Sequence, residues 1–235
     1  MKAYRALACD YDGTIASDGK VPQNVVESLE RLRASGRRVI LVTGREFPDL
    51  LNVMPDLSCF DRVIAENGAI LYRPQTREEK QLITPPPPSF VEALAAHGVK
   101  PLSQGRIVVS TLTPYETIVL NVIRDMGLEM TVTFNKGSVM ILPSGVNKAT
   151  GLKAALEELK IHPDQTVAVG DAENDQALFS ACGWSAAVSN ALPALKDKAR
   201  VVLSQPAGEG VRELIDEWLS SDDSSGLAMN QKINS

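Results

Sequence analysis

The chain has 235 residues, of which 44% are hydrophobic, and this suits a soluble protein with one large or two modest cores. Its formal net charge of -5 argues against nucleic acid or an anionic membrane as the main partner, because both bind basic surfaces. Three scattered cysteines form no metal or disulfide pattern, and no signal peptide or membrane span is predicted. These features predict a cytoplasmic protein.

The first predicted element is a buried strand that ends in an acidic turn. An apolar run, residues 6–9 (Ala-Leu-Ala-Cys), precedes residues 10–14 (Asp-Tyr-Asp-Gly-Thr). Alternate residues of extended backbone face the same side, so we expect Asp10 and Asp12 to face one small volume. Two carboxylates that close together favour a bound cation, a shared proton or both. For this motif alone, an ordinary surface turn is the alternative.

Helix and strand patterns then alternate, which predicts a parallel sheet. A helical pattern begins at Pro22 and ends at Gly36. Strands are predicted over residues 38–43 and 62–65, because both segments are apolar and rich in β-branched residues. The first of these two strands runs into the sequence Thr-Gly-Arg at residues 43–45.

The alternation is interrupted in the middle of the chain. Residues 66–68 (Glu-Asn-Gly) predict a turn, with a hairpin return over residues 69–72. Residues 73–88 are polar and end in four prolines, which predicts an extended domain boundary. The elements predicted beyond the prolines are helices at 90–97 and 115–126 and strands at 106–110, 129–134 and 138–142. This order predicts a small inserted α+β unit lying over the sheet edge.

A second acidic turn appears after the alternation resumes. A helix is predicted over residues 148–160, and an apolar strand then ends at Gly170, the first residue of the sequence Gly-Asp-Ala-Glu-Asn-Asp at 170–175. In open parallel sheets the carboxyl ends of the strands share one edge, where ligands bind. The two acidic turns are therefore expected to meet there.

The predicted fold class is α/β, a Rossmann-like parallel-sheet core with an inserted small α+β domain. The core is assigned to residues 1–80 and 146–220, and the insert to residues 81–145. Residues 221–235 are polar and predict a disordered tail or a linker to a further domain.

Four motifs in chain order resemble those of the haloacid dehalogenase superfamily of phosphohydrolases over nearly the whole chain. They are residues 10–14, residues 43–45, Lys148 and residues 170–175. The inserted unit resembles the small α+β cap of the Cof-type, phosphoglycolate phosphatase-like branch. The resemblance implies an Mg²⁺-dependent phosphatase that hydrolyses a small phosphorylated metabolite, a sugar phosphate or phosphoglycolate, through an aspartyl-phosphate intermediate.

The resemblance also implies a role for each motif residue. Asp10 would be the nucleophile, and Asp12 the general acid and base that separates phosphatases and phosphomutases from the ATPases of the superfamily. The residues implied to bind substrate phosphate are Thr43, Gly44, Arg45, Lys148 and Asn174. The implied Mg²⁺ ligands are Asp10, Asp171 and the backbone carbonyl of Asp12, with Asp175 holding a metal-bound water.

Alternatives stay open at this point. A phosphomutase would use the same aspartates, and a phospho-aspartate signalling module also gathers acidic groups at a sheet edge. Arg45 suits phosphate recognition but can equally pair with a neighbouring acid. The inserted unit offers Arg106, Thr111, Tyr115 and Arg124 as further candidates for substrate binding.

Overall fold

The computed structural model describes residues 4–221, which form two β-sheets with helices packed on them. The strands are β1 (Ala6–Cys9), β2 (Arg38–Val42), β3 (Arg62–Ala65), β4 (Ile70–Arg73), β5 (Glu78–Gln81), β6 (Ser103–Gln104), β7 (Val109–Leu112), β8 (Met130–Asn135), β9 (Ser138–Pro143), β10 (Thr166–Gly170), β11 (Trp184–Ala187) and β12 (Val201–Val202). The helices are α1 (Gln23–Ala34), α2 (Phe47–Val53), α3 (Pro88–Ala96), α4 (Glu116–Asp125), α5 (Lys148–Leu159), α6 (Gln176–Ala181), α7 (Pro193–Lys196) and α8 (Ala207–Ser220).

The larger sheet has the strand order β12-β11-β10-β1-β2-β3-β4-β5, and the strands from β12 to β3 are parallel. Every residue of β1 and β10 is buried, as expected when helices cover both faces of a parallel sheet. Strand β1 lies between β2 and β10, with Ala6 opposite both Arg38 and Thr166. The predicted α/β class with a mostly parallel sheet is confirmed, and its central register brings the ends of β1, β2 and β10 side by side.

The smaller sheet is antiparallel, in the order β6-β7-β9-β8. Helices α3 and α4 contribute Phe90, Leu94 and Val119 to an apolar cluster with Val109 and Ile141 of the sheet. Other side chains of this region, those of Ile107, Val108, Met140 and Leu142, join the main core instead. We call residues 81–145 the cap, and this domain division stays a prediction.

Two segments differ from the sequence prediction. Strand β5 lies in the stretch that was expected to be a domain boundary. The sequence does not predict this strand, because its four residues are all polar and form a mostly exposed antiparallel edge without an apolar pattern. The strand expected over residues 106–110 begins only at Val109, since the preceding backbone amides bond to a buried carboxylate described below. Of the predicted tail, residues 222–235 lie outside the described part of the chain. Between residues 4 and 221, no helix is long and apolar enough to cross a membrane.

Candidate active site

The candidate site lies where three neighbouring strands of the larger sheet end. Asp10 follows β1, Thr43 follows β2, and Asp171 follows β10. The amide of Asp10 donates to the carbonyl of Val169 at 3.0 Å, so the parallel ladder continues one residue past β1. The sheet thereby brings together motifs that are far apart in the sequence.

Three buried carboxylates form the centre of the site. Asp10, Asp171 and Asp175 each offer one oxygen, and these oxygens lie within 4.8 Å of one another. All three residues are at most 5% exposed. Carboxylate oxygens are the ligands that Mg²⁺ prefers, so the donor set fits this ion.

Lys148 is the central cation of the cluster. Asn147 caps the helix that starts at Lys148, accepting hydrogen bonds from the amides of Ala149 at 2.9 Å and Thr150 at 3.1 Å. The fully buried Lys148 Nζ donates to Asp10 Oδ1 at 2.6 Å and to Asp175 Oδ1 at 2.7 Å. Burial alone would lower the pKa of Lys148, but the two carboxylates outweigh it and raise the pKa above its ordinary value.

The carboxylates carry more negative charge than the neighbouring cations offset. Burial raises the pKa of Asp10 well above its ordinary value, although Lys148 opposes the shift. Burial also raises the pKa of Asp171, against the effect of Lys136, and Thr14 Oγ1 donates to Asp171 Oδ1 at 3.1 Å. A divalent cation among these groups would relieve the excess charge.

Asp175 is fixed by the turn that follows β10. The amides of Asp171 and Ala172 donate to Asp175 Oδ2 at 2.9 and 3.1 Å. A Cβ atom on Gly170 would lie 2.5 Å from Asp175 Cγ, so this close approach requires glycine. The last carboxylate of the second acidic motif, that of Asp175, is therefore bonded to backbone amides near the start of the same motif.

Arg45 is the cationic partner of Asp12. The guanidinium donates from Nε to Asp12 Oδ2 and from Nη2 to Asp12 Oδ1, both at 2.7 Å, and from Nη1 to Asp49. These bonds, first among them those to Asp12, raise the pKa of Arg45 above its ordinary value. Thr43 Oγ1 accepts from the Arg45 amide at 3.1 Å. Asp10 and Asp12 thus have different cationic partners, and Arg45 pairs with two neighbouring acids in this structure.

Asn174 pairs with Asn67. The sequence analysis places Asn67 in the turn predicted at residues 66–68. Asn174 Nδ2 donates to Asn67 Oδ1 at 3.3 Å, and both side chains are buried. Asn174 Oδ1 and Asn67 Nδ2 have no partner among the described residues. An unpartnered buried polar atom is costly unless a water or ligand binds it, so this pair has capacity for one more contact on each side chain. The Asn174 Nδ2 atom also lies 3.3 Å from where a Cβ on Gly44 would stand.

Lys136 enters the site from the cap and was missed by the sequence analysis, which places it only in the connection between the strands predicted at residues 129–134 and 138–142. Its ammonium contacts Asp171 Oδ2, and its amide donates to Glu173 Oε2 at 3.2 Å. A Cβ on Gly13 would lie 2.8 Å from Lys136 Nζ, so glycine makes room for this cation. The signal that could have identified it is a basic residue at the tip of a hairpin predicted to lie over the sheet edge.

Glu66 is the second residue whose role the sequence analysis missed. Its carboxylate is fully buried and accepts hydrogen bonds from the amides of Arg106 at 2.8 Å, Ile107 at 2.7 Å and Val108 at 3.0 Å. It also accepts from the amide of Phe47 at 3.3 Å, at the start of α2. One core carboxylate thereby fixes three consecutive amides of the cap.

A cleft of ≈ 360 Å³ separates this part of the core from the cap. Its walls are formed by Asp12, Gly44, Arg45, Glu46, Asp49, Ser103, Val108, Ser110, Asn135, Ser138 and Met140. The four cap candidates from the sequence do not line it. Arg106 pairs with Glu79, Arg124 pairs with Asp125, Thr111 Oγ1 donates to the carbonyl of Pro101, and Tyr115 packs on the cap's apolar cluster.

Comparison with known proteins identifies the family of this chain. A family model described as haloacid dehalogenase-like hydrolase matches residues 7–98 and 108–215. A phosphoglycolate phosphatase of Methanothermobacter thermautotrophicus is 28% identical over 225 residues, covering 92% of this chain and 99% of that protein. Phosphoglycolate phosphatase 2 of Saccharolobus solfataricus is 31% identical over 223 residues, covering 92% and 93%.

A solved structure shows the same fold. The haloacid dehalogenase subclass IIB sugar phosphatase BT4131 superposes with a TM-score of 0.74 at 20% sequence identity, covering 90% of this chain and 98% of that one. The family match extends over most of the chain, including most of the cap. The chain therefore belongs to the haloacid dehalogenase-like hydrolases and is a phosphatase, as the order of its four motifs predicts.

Proposed function

We propose that the protein is an Mg²⁺-dependent phosphatase that hydrolyses a small phosphate monoester through an aspartyl-phosphate on Asp10. The observation that carries the proposal is the buried cluster in which Lys148 bonds to both Asp10 and Asp175, with Asp171 beside them. The names of the relatives, phosphoglycolate phosphatase and sugar phosphatase, support a small phosphorylated substrate.

Asp10 is proposed to attack phosphorus with the carboxylate oxygen that Lys148 leaves free. The hydrogen bond from Lys148 to Oδ1 fixes the rotamer of Asp10 and leaves Oδ2 for bond formation. A bond forms between Asp10 and phosphorus while the bond from phosphorus to the ester oxygen breaks. Water then attacks the same phosphorus, which releases inorganic phosphate and restores the Asp10 carboxylate.

Asp12 is proposed to move the proton in both steps. It donates a proton to the departing ester oxygen and later accepts one from the attacking water. Protonation of Asp12 removes its negative charge and turns one oxygen into a donor, so it weakens the two hydrogen bonds that Arg45 makes in this structure. Since Arg45 also bonds to Asp49, we propose that it remains anchored at the start of α2 while Asp12 changes its protonation state.

The remaining motif residues are proposed to hold the phosphoryl group and the metal. The proposed phosphate contacts are the Thr43 hydroxyl, the Gly44 amide, Arg45, Lys148 and Asn174. The proposed ligands of Mg²⁺ are the carboxylates of Asp10 and Asp171 and the backbone carbonyl of Asp12, with Asp175 acting through water. When bound, Mg²⁺ supplies positive charge that offsets the phosphoryl oxygens and the surrounding carboxylates.

Phosphate release from a panel of phosphorylated metabolites, with and without Mg²⁺, tests this proposal. We expect release that requires Mg²⁺ and is lost in Asp10→Asn but retained in Asp216→Asn, which removes a surface carboxylate paired with Arg31. Full activity in Asp10→Asn would contradict the mechanism. An isomerised sugar phosphate without free phosphate would indicate a phosphomutase instead.

A further inference from the structure

The cleft between core and cap is the space into which a leaving group would extend. Asp12 and Gly44 lie on its core side, and Ser110, Asn135 and Ser138 lie on its cap side. Because Asp12 is the proposed proton donor to the ester oxygen, whatever is attached to that oxygen must occupy this cleft. Its ≈ 360 Å³ is at the lower end of the volumes typical of small-molecule sites and is larger than a two-carbon acid would fill.

The charges that line the cleft are mainly negative. Asp12, Glu46 and Asp49 contribute three carboxylates, and Arg45 is the one cation among the described lining residues. Arg45 already bonds to both Asp12 and Asp49, which leaves the charge of Glu46 uncompensated by any lining cation. A second anion in this space would face like charge.

The two lysines of the phosphoryl-transfer site do not alter this balance. Lys148 bonds to Asp10 and Asp175 in the buried cluster, and Lys136 bonds to Asp171. Each of these ammonium groups is therefore already paired with a carboxylate of the phosphoryl-transfer site.

The uncharged lining groups suit a hydroxyl-bearing ligand. Ser110 Oγ donates to Glu46 Oε1 at 3.2 Å across the boundary between cap and core. Asn135 Oδ1 is a buried acceptor without a partner among the described residues, and Ser103 and Ser138 add hydroxyl groups. A ligand hydroxyl can donate to Glu46 or Asn135 and accept from a serine, whereas a carboxylate can only accept.

We propose that this cleft selects a neutral, hydroxyl-bearing leaving group over a carboxylate-bearing one, and that Glu46 determines the preference. The inference rests on the proposed function, because it concerns the leaving group of that reaction. Phosphoglycolate belongs to the disfavoured class. The proposed preference of this cleft therefore differs from the substrate preference that the names of the sequence relatives indicate. Glu46 acts by repelling a second carboxylate and by accepting a hydrogen bond from a ligand hydroxyl.

Two matched substrate pairs test the preference. Phosphoglycolate and 2-hydroxyethyl phosphate differ only by a carboxylate in place of a hydroxymethyl group, and 6-phosphogluconate and glucose 6-phosphate form a six-carbon pair. We expect the wild-type kcat/KM to be about tenfold higher for the hydroxyl-bearing member of each pair that is hydrolysed. The generic ester p-nitrophenyl phosphate reports phosphoryl transfer independently of either group.

Glu46→Gln tests the named residue, because it removes the charge and keeps the side-chain length. We expect it to reduce the preference by about tenfold, mostly through a lower KM for the carboxylate-bearing substrate. The matched control is Glu92→Gln, which makes the same charge change at an exposed position of α3 in the cap that does not line the cleft. Glu92→Gln should leave the ratio of kcat/KM values between the two members of each substrate pair unchanged.

The outcomes separate this inference from the proposed function. Two results would overturn the inference: a wild-type preference for the carboxylate-bearing substrates, or a ratio of kcat/KM values within the pairs that Glu46→Gln does not change. If p-nitrophenyl phosphate is still hydrolysed in either case, the proposed phosphatase function is upheld. No turnover of any ester with Mg²⁺ present overturns the proposed function and the inference together.

Discussion

The core side of the active site and its cap side are built in different ways. On the core side, Asp10, Lys148, Asp171 and Asp175 are buried and bonded to one another or to backbone amides. On the cap side, the serine and asparagine groups that line the cleft are half-buried or exposed, and Asn135 has a buried oxygen without a partner between residues 4 and 221. The difference indicates that the core fixes the reaction, while the cap remains free to select the leaving group.

The two lysines of the site show the same contrast. Lys148 is fully buried and starts a capped core helix, whereas the side chain of Lys136 is 43% exposed at a hairpin tip. A displacement of the cap would withdraw Lys136 from Asp171 and leave Lys148 in place. Substitutions on the two sides should therefore change different measured quantities.

The largest effect is expected from Lys148→Met, on the core side. The change leaves Asp10 and Asp175 buried beside an apolar side chain, which should lower kcat at least about 1000-fold and destabilise the protein by about 3 kcal/mol. Steady-state kinetics and urea unfolding measure the two effects. Lys153→Met, on the exposed side of the same helix, is the control. A kcat within tenfold of wild type would break the proposed division between core and cap.

The second-largest effect is expected from Glu66→Gln, which should weaken the attachment of the cap to the core. The amide side chain replaces one acceptor oxygen with a donor that faces backbone N–H groups, so the bonds to residues 106–108 weaken by about 2 kcal/mol. We expect faster hydrogen exchange at the amides of residues 106–108 and a KM raised about tenfold.

The control for Glu66→Gln is Asp61→Asn, which alters another buried carboxylate of the core. Asp61 accepts from the amide of Val39 at 2.9 Å and pairs with Arg33 and Arg38, away from the cap. It should lose stability without a change in KM. If both variants behave alike, Glu66 has only a general structural role.

Lys136→Met should have a smaller effect, on Mg²⁺ affinity. Removing a positive charge that contacts Asp171 should tighten Mg²⁺ binding about fivefold, because ammonium and metal compete for the same carboxylate. Isothermal titration calorimetry in the absence of substrate measures the affinity, with Lys153→Met as the control. Weaker Mg²⁺ binding would show that Lys136 supports the metal site rather than competing with it.

The smallest effect is expected from Glu158→Gln. Glu158 belongs to neither the core side nor the cap side of the active site, so this variant serves as a reference for both. Hydrogen bonds from Arg73 and then Arg62 lower the pKa of Glu158 from 4.5 to about 2. A depressed folded-state pKa gives stability above the unfolded value, and that stability is lost as pH falls through the folded value. The difference in unfolding free energy between wild type and Glu158→Gln should therefore be greatest above pH 4.5, at about 1 kcal/mol, and shrink as pH falls through about 2. A difference independent of pH would contradict this interpretation.

The core was largely predictable from the sequence because its signals are local. Apolar runs predict strands at residues 6–9 and 62–65, and the structure has both with the same bounds. A parallel sheet then places the ends of its central strands at one edge, which brings the aspartate motifs together.

The contacts between core and cap could not be predicted in this way. Glu66 reads as a turn residue because its partners, the amides of residues 106–108, lie about 40 positions away. Those amides also explain the late start of β7, because they bond to a carboxylate rather than to a neighbouring strand. Lys136 likewise reads as part of a turn until the cap is placed over Asp171. Such long-range polar contacts leave no periodic pattern in one sequence.

The most direct test of the central claim is mass spectrometry of the protein after acid quenching during turnover of p-nitrophenyl phosphate with Mg²⁺. The mechanism predicts one added phosphoryl group on the peptide that contains Asp10, and none in Asp10→Asn. In Asp12→Asn the modified fraction should rise, because attack of water on the aspartyl-phosphate loses its general base. Turnover without modification in any of these proteins, or a phosphoryl group on another residue, would contradict the assignment of Asp10 as nucleophile.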